Sequence, residues 1–163
     1  MQTATVPQLK NELKHLDKEA LTDLCLRLAK FKKENKELLT YLLFEADDEA
    51  HFVEGVKDEI TEEFRNINRS SPYLIKKSVR RILKSVKKYI RYSKNNTTEI
   101  ELLIHFCQAL GPFSAAMERS VVLGNMYRTQ VKTIQKSLAK VHEDLQYDYQ
   151  EAFESLKKHR AYY

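Results

Sequence analysis

The chain is poor in residues that bend a backbone, with three Gly and three Pro among 163 positions. That supply is too small for the turns of a many-stranded β fold, and it leaves no Gly-rich loop to cradle a phosphate. Cysteine is equally scarce. Cys25 and Cys107 stand alone in amphipathic patterns, which excludes a disulfide framework or a paired-cysteine metal site and points to reduced thiols in a cytoplasmic protein. Cys25 reads as a small core hydrophobe.

Long apolar runs are missing too. None of signal-peptide length precedes the charges at Lys10, Glu12 and Lys14, so secretion is not expected. The longest stretch free of Asp, Glu, Lys and Arg, Leu102 to Met117, is interrupted by Gly111-Pro112 and falls short of the ~20 residues that span a bilayer. No transmembrane segment is expected.

What the chain does contain is Leu, Lys and Glu in helical periodicity, with 42% hydrophobic residues. A chain of this length can bury roughly two thirds of its unfolded surface in one core. The expectation is therefore an all-α, single-domain antiparallel bundle of six or seven helices covering residues 1–163.

Pro7 opens a short first helix, and Asp17 is positioned to cap a second with the stripe Leu21, Leu24, Cys25 and Leu28. Leu38, Leu39, Leu42 and Leu43 mark a third. A fourth helix, about Asp47 to Ile67, gathers Phe52, Val53, Val56, Ile60 and Phe64 on one side. Ser71-Pro72 then supplies a cap and a first helical residue for a fifth, about Pro72 to Lys94, in which Ile75, Val79, Ile82, Val86 and Tyr89 recur at 4-3-4-3 spacing. Thr98 and Glu101 have capping-box spacing for a sixth helix ending at Gly111-Pro112. Beyond it, Val131, Ile134, Leu138, Val141, Leu145, Ala152 and Leu156 run close to a heptad, which predicts a long C-terminal helix from Asn125 to Lys158.

Charge is segregated along this pattern. The formal +5 divides into +2 over residues 1–44, −8 over 45–63, +11 over 64–98 and 0 over 99–163. In the fifth helix, Lys76, Lys77, Arg80, Arg81, Lys84, Lys87, Lys88 and Arg91 all fall opposite the apolar stripe. Three readings of this face compete: internal neutralisation by the acidic fourth helix, with Asp47, Asp48 and Glu49 beside Lys87, Lys88 and Arg91; an anionic partner, above all a nucleic acid; or a membrane surface. Tyr89 and Tyr92 lie close enough to this face to stack on bases.

No catalytic arrangement is visible. His105 and Cys107, two apart on one helix, point to nearly opposite sides and make no couple. Glu12 with His15, and Asp48 with His51, have Glu-x-x-His-like spacing, and Glu45 lies near the second pair. Glu45, Asp48 and His51 are thus remote metal candidates, too sparse to assign a metal or cofactor. Tyr147, Tyr149, Tyr162 and Tyr163 form a C-terminal aromatic cluster whose plainest role is packing.

The run LKNELKHLDKEALTDLCLRLAKFKKENKELLTYLLF, Leu9 to Phe44, with EADDEAHFVEGVKDEI, Glu45 to Ile60, resembles an uncharacterised family of short all-helical bacterial proteins. The resemblance covers about the first third of the chain and implies a bacterial cytosolic helical domain with no assigned activity. The same opening is similar to the small helical SAP and Rho N-terminal modules but lacks the Gly-bearing turn between their helices, so no residue roles carry over. The expectation is a non-enzymatic interaction or scaffold protein that binds a protein partner or itself, with no small-molecule substrate evident. Nucleic-acid binding through the basic face at about 72–94 is the alternative.

Overall fold

The computed structural model describes residues 2–159. They are all-α, with no strand among the described residues. Two compact units divide the chain between Phe44 and Glu45, where the sequence pattern suggested one domain; each is taken by itself.

The first unit holds α1 (Val6–Leu13), α2 (Lys18–Phe31) and α3 (Lys33–Thr40), followed by a π-helical turn, Tyr41–Glu45, that leads out of it. Thr5 and Gln8 close a capping box on α1, and the Asp17 carboxylate accepts from the Ala20 amide at 2.7 Å to start α2. Lys32 alone, in an extended conformation, separates α2 from α3, which pack on each other as a hairpin. None of α1, α2 and α3 contains a buried residue. Cys25 is exposed, which corrects its assignment to a core: its helix packs chiefly on α3, and two helices cannot enclose a side chain.

The second unit consists of α4 (Glu49–Arg65), α5 (Pro72–Ser93), α6 (Asn96–Leu110), a 3₁₀ turn (Gly111–Phe113), α7 (Ser114–Glu118), α8 (Val121–Leu138) and α9 (Glu143–Lys158). Helix α6 is its axis and packs against α4, α5, α8 and α9. Ile100, Leu102, Phe106, Cys107 and Leu110 are fully enclosed there, and Phe64 meets Phe106 edge-on with centroids 5.5 Å apart. Burying such side chains contributes about 1.5–3 kcal/mol each. Residues Asn96–Glu118 are long and apolar enough, at mean hydropathy 1.3, to pass a length-and-composition test for a membrane span. Half of their most apolar window is buried within this unit, as in a central core helix.

Successive long helices reverse direction, so α4, α6 and α9 run the same way, a relation fixed by the cross-links Lys57–Glu101, Thr61–His105 and Glu101–Tyr149. Ser71 caps α5 through the Leu74 amide. Lys94 ends α5 in the left-handed region, φ 56°, with its amide on the Ile90 carbonyl.

Two boundaries differ from the sequence pattern. Helix α6 is capped by Asn95, whose side chain accepts from the Thr97 amide at 2.9 Å, and not by Thr98; the Thr98 hydroxyl is buried and donates to Glu49 of α4. The long C-terminal helix is broken at residues 139–142. Turn bonds from Lys140 to Ser137 and from Val141 to Leu138 end α8, and His142 caps α9. Folding back lets Phe153 and Leu156 bury, and the Tyr127 hydroxyl donates to the Leu156 carbonyl at 2.9 Å. A straight helix would leave both apolar side chains in water.

Candidate nucleic-acid interface

Helix α5 turns Ile75, Val79, Ile82 and Val86 into the core, so its 3.6-residue period sends every base in the segment outward. Lys77, Arg80, Arg81, Lys84, Lys87 and Arg91 are exposed, and Lys76 and Lys88 are half-buried. From Lys76 to Arg91 the array extends for about 22 Å at 1.5 Å per residue. The structure thus brings all eight predicted cations onto one face.

Their partners decide what the face can do. Among the described residues, no carboxylate lies within ion-pair distance of Lys76, Lys77, Arg80, Arg81, Lys84, Lys87 or Arg91. Lys76 sits 6.0 Å from the Tyr73 ring centroid and Lys88 4.7 Å from that of Tyr89. Several carboxylates of α4 are engaged elsewhere. Glu49 accepts from the hydroxyls of Ser93 and Thr98, Glu59 from the Tyr89 hydroxyl at 2.8 Å, and Asp48 from the His51 amide at 3.1 Å as the α4 cap.

Tyr89 and Tyr92 are not stacking platforms. Tyr92 is buried, and Tyr89 is held edge-on between Phe52 and Tyr92 with its hydroxyl on Glu59. The aromatic ring that does face solvent beside the cations is Tyr73, 63% exposed. Its place next to Pro72, in the first turn outside the apolar stripe, is the signal that marks it.

A polar cluster across α4, α6 and α9 escaped the sequence pattern. Lys57 Nζ lies 2.7 Å from both Glu54 Oε1 and Glu101 Oε2, and the Tyr149 hydroxyl donates to Glu101 Oε1 at 2.8 Å. Burial opposes the Lys57 ammonium, but the hydrogen bonds to Glu101 and Glu54 outweigh it and raise its pKa. Burial also raises the Tyr149 phenol, reinforced by Glu101. Thr61 gives its single proton to the Lys57 carbonyl, so His105 Nε2 must donate to Thr61 Oγ1 at 2.8 Å. The adjoining groove, about 160 Å³, is below the ~300 Å³ at which small-molecule sites begin. A clamped ammonium and a phenol locked to a carboxylate favour cross-linking of helices over proton transfer. The one clue in the sequence is that Lys57 is a lone base among nine acids.

The other candidates stay apart. His105 is half-buried on Thr61, whereas Cys107 is fully enclosed with its thiol pushed up by burial. Glu45 ends the π turn, Asp48 caps α4 and His51 is exposed; no group of three or more His, Cys, Asp or Glu able to hold a metal occurs among the described residues. Tyr147 is exposed, Tyr149 belongs to the clamp, and Tyr162 and Tyr163 lie outside the described residues. Comparison with family profiles, curated proteins and solved structures gives no match for the chain.

Proposed function

We propose that this is a non-enzymatic interaction protein whose helix α5 binds the phosphate backbone of a nucleic acid. The observation that carries the reading is the row of exposed cations without carboxylate partners on one rigid helix. Releasing condensed counterions drives such binding, and it needs no base contacts. Contacts made to phosphates alone carry no sequence information, so binding with little dependence on sequence is the expectation. If four or five phosphates are engaged, affinity falls about 150- to 500-fold between 50 and 200 mM salt, from a slope of about −0.9 per phosphate on duplex DNA.

The test is fluorescence anisotropy with labelled random-sequence duplex and single strands at 50 mM salt, repeated at rising salt. Binding with the steep salt slope and little dependence on sequence is expected, and it should vanish in the quadruple variant Arg80→Glu, Arg81→Glu, Lys84→Glu, Lys87→Glu. No shift at 50 mM salt, or equal binding by the variant, discards the reading.

A further inference from the structure

We propose that the first unit is a self-association surface: the α2–α3 hairpin of one chain packs face to face on the same hairpin of a second copy. This stands on a different surface from α5 and does not depend on nucleic-acid binding.

Eleven of the exposed large apolar side chains belong to residues 2–44, against five in residues 45–159. Phe31 is 76% exposed, Leu42 56% and Leu28 54%. Between α2 and α3 runs an open groove of about 250 Å³, walled by Cys25, Leu28, Leu38 and Leu42 among others. Helix α1 does not fill it, because Val6 and Leu9 of its own stripe face solvent.

Area and charge together select the occupant. At roughly 150–200 Å² for a fully exposed large apolar side chain, Leu24, Leu28 and Phe31 of α2 with Leu42, Leu43 and Phe44 after α3 present on the order of 600 Å², which meets the lower end of the ~600–1,000 Å² per partner of a stable interface. A hairpin has one apolar face and no third layer, and doubling it gives a four-helix arrangement in which both stripes are covered. A two-fold contact sets each patch against itself, so it needs charge of both signs. Residues 1–44 supply that with eight bases and six acids, whereas the +11 segment at 64–98 would repel its own copy.

The whole chain is examined by sedimentation velocity from about 1 to 200 µM, alongside the reaction rate of Cys25 with a thiol reagent. Cys25 is exposed in the groove and Cys107 is buried, so the fast thiol reports on this face alone. A dimer is expected in which Cys25 slows at least tenfold as protein concentration rises. Leu28→Asp and Leu42→Asp should each raise the dissociation constant by roughly a hundredfold or more. Lys30→Glu, on the polar side of α2, should leave it unchanged. Cys25 protection in the unaltered protein stands even if a substitution unfolds the hairpin. A chain that stays monomeric throughout overturns the proposal. So does a dimer in which Cys25 keeps its monomer rate, or a monomer that instead binds phosphatidylcholine vesicles.

Discussion

At His105, burial is the largest influence on the imidazole and lowers its pKa below 6.5; the charge of Lys57 adds to this, against the opposing pull of a Lys57 backbone bond, Glu54 and Asp58. The sign of its effect on stability follows. In the unfolded chain the ring takes up a proton near pH 6.5, while in the folded chain it resists until lower pH, so falling pH favours the unfolded state. The contribution is complete above the unfolded value and is lost as pH drops through the window down to the folded one. Urea unfolding of the parent should therefore weaken from about pH 6.5 downward. His105→Gln, which keeps a donor for Thr61, should lose most of that slope between pH 6.5 and 5 while remaining folded at pH 8. An unchanged slope in the variant would place the acid sensitivity on other groups.

Helix by helix, what was legible in the sequence is what local chemistry decides. Helix α5 could be placed within a residue because its Ser71 cap, its Pro72 and a strict apolar period all lie inside the segment. The start of α6 could not: Thr98-x-x-Glu101 has capping spacing, yet Thr98 spends its hydroxyl on Glu49, 49 positions away, and Glu101 pairs with Lys57 and Tyr149. The break between α8 and α9 was invisible for a related reason. No Gly or Pro marks residues 139–142, and the heptad phase runs through them; only the gain from folding Phe153 and Leu156 back onto the core breaks the helix. In the candidate site, likewise, the eight cations were legible from periodicity, but the freedom of seven of them, Lys88 aside, from α4 carboxylates depends on how two helices are rotated about their axes. Tyr127 tests the α8–α9 junction directly. Its hydroxyl is the buried link to the Leu156 carbonyl, so Tyr127→Phe should cost about 0.5–1.5 kcal/mol. Amide exchange should accelerate in Glu143–Lys158 ahead of α4 and α6. Uniform acceleration across the helices would mean that α9 does not open as a separate element.

Across the whole molecule, apolar burial and apolar exposure are distributed in opposite senses. Among the described residues, Tyr41 is the one buried hydrophobic side chain before Glu45, while every other member of the core, from Phe52 to Leu156, belongs to the second unit. A unit that owns its core should fold by itself, and one without a core should depend on association. A chain starting at Glu45 is thus expected to unfold cooperatively, with a melting temperature within a few degrees of the parent, and to retain the salt-sensitive binding assigned to α5. Residues 1–44 as a separate peptide should lose helix on dilution, because its hairpin has only a second copy to cover its stripe. Circular dichroism over a hundredfold dilution distinguishes the cases. A concentration-independent helical signal from the peptide would show a hairpin stable alone, and failure of the shortened chain to fold would place part of its stability in the first 44 residues.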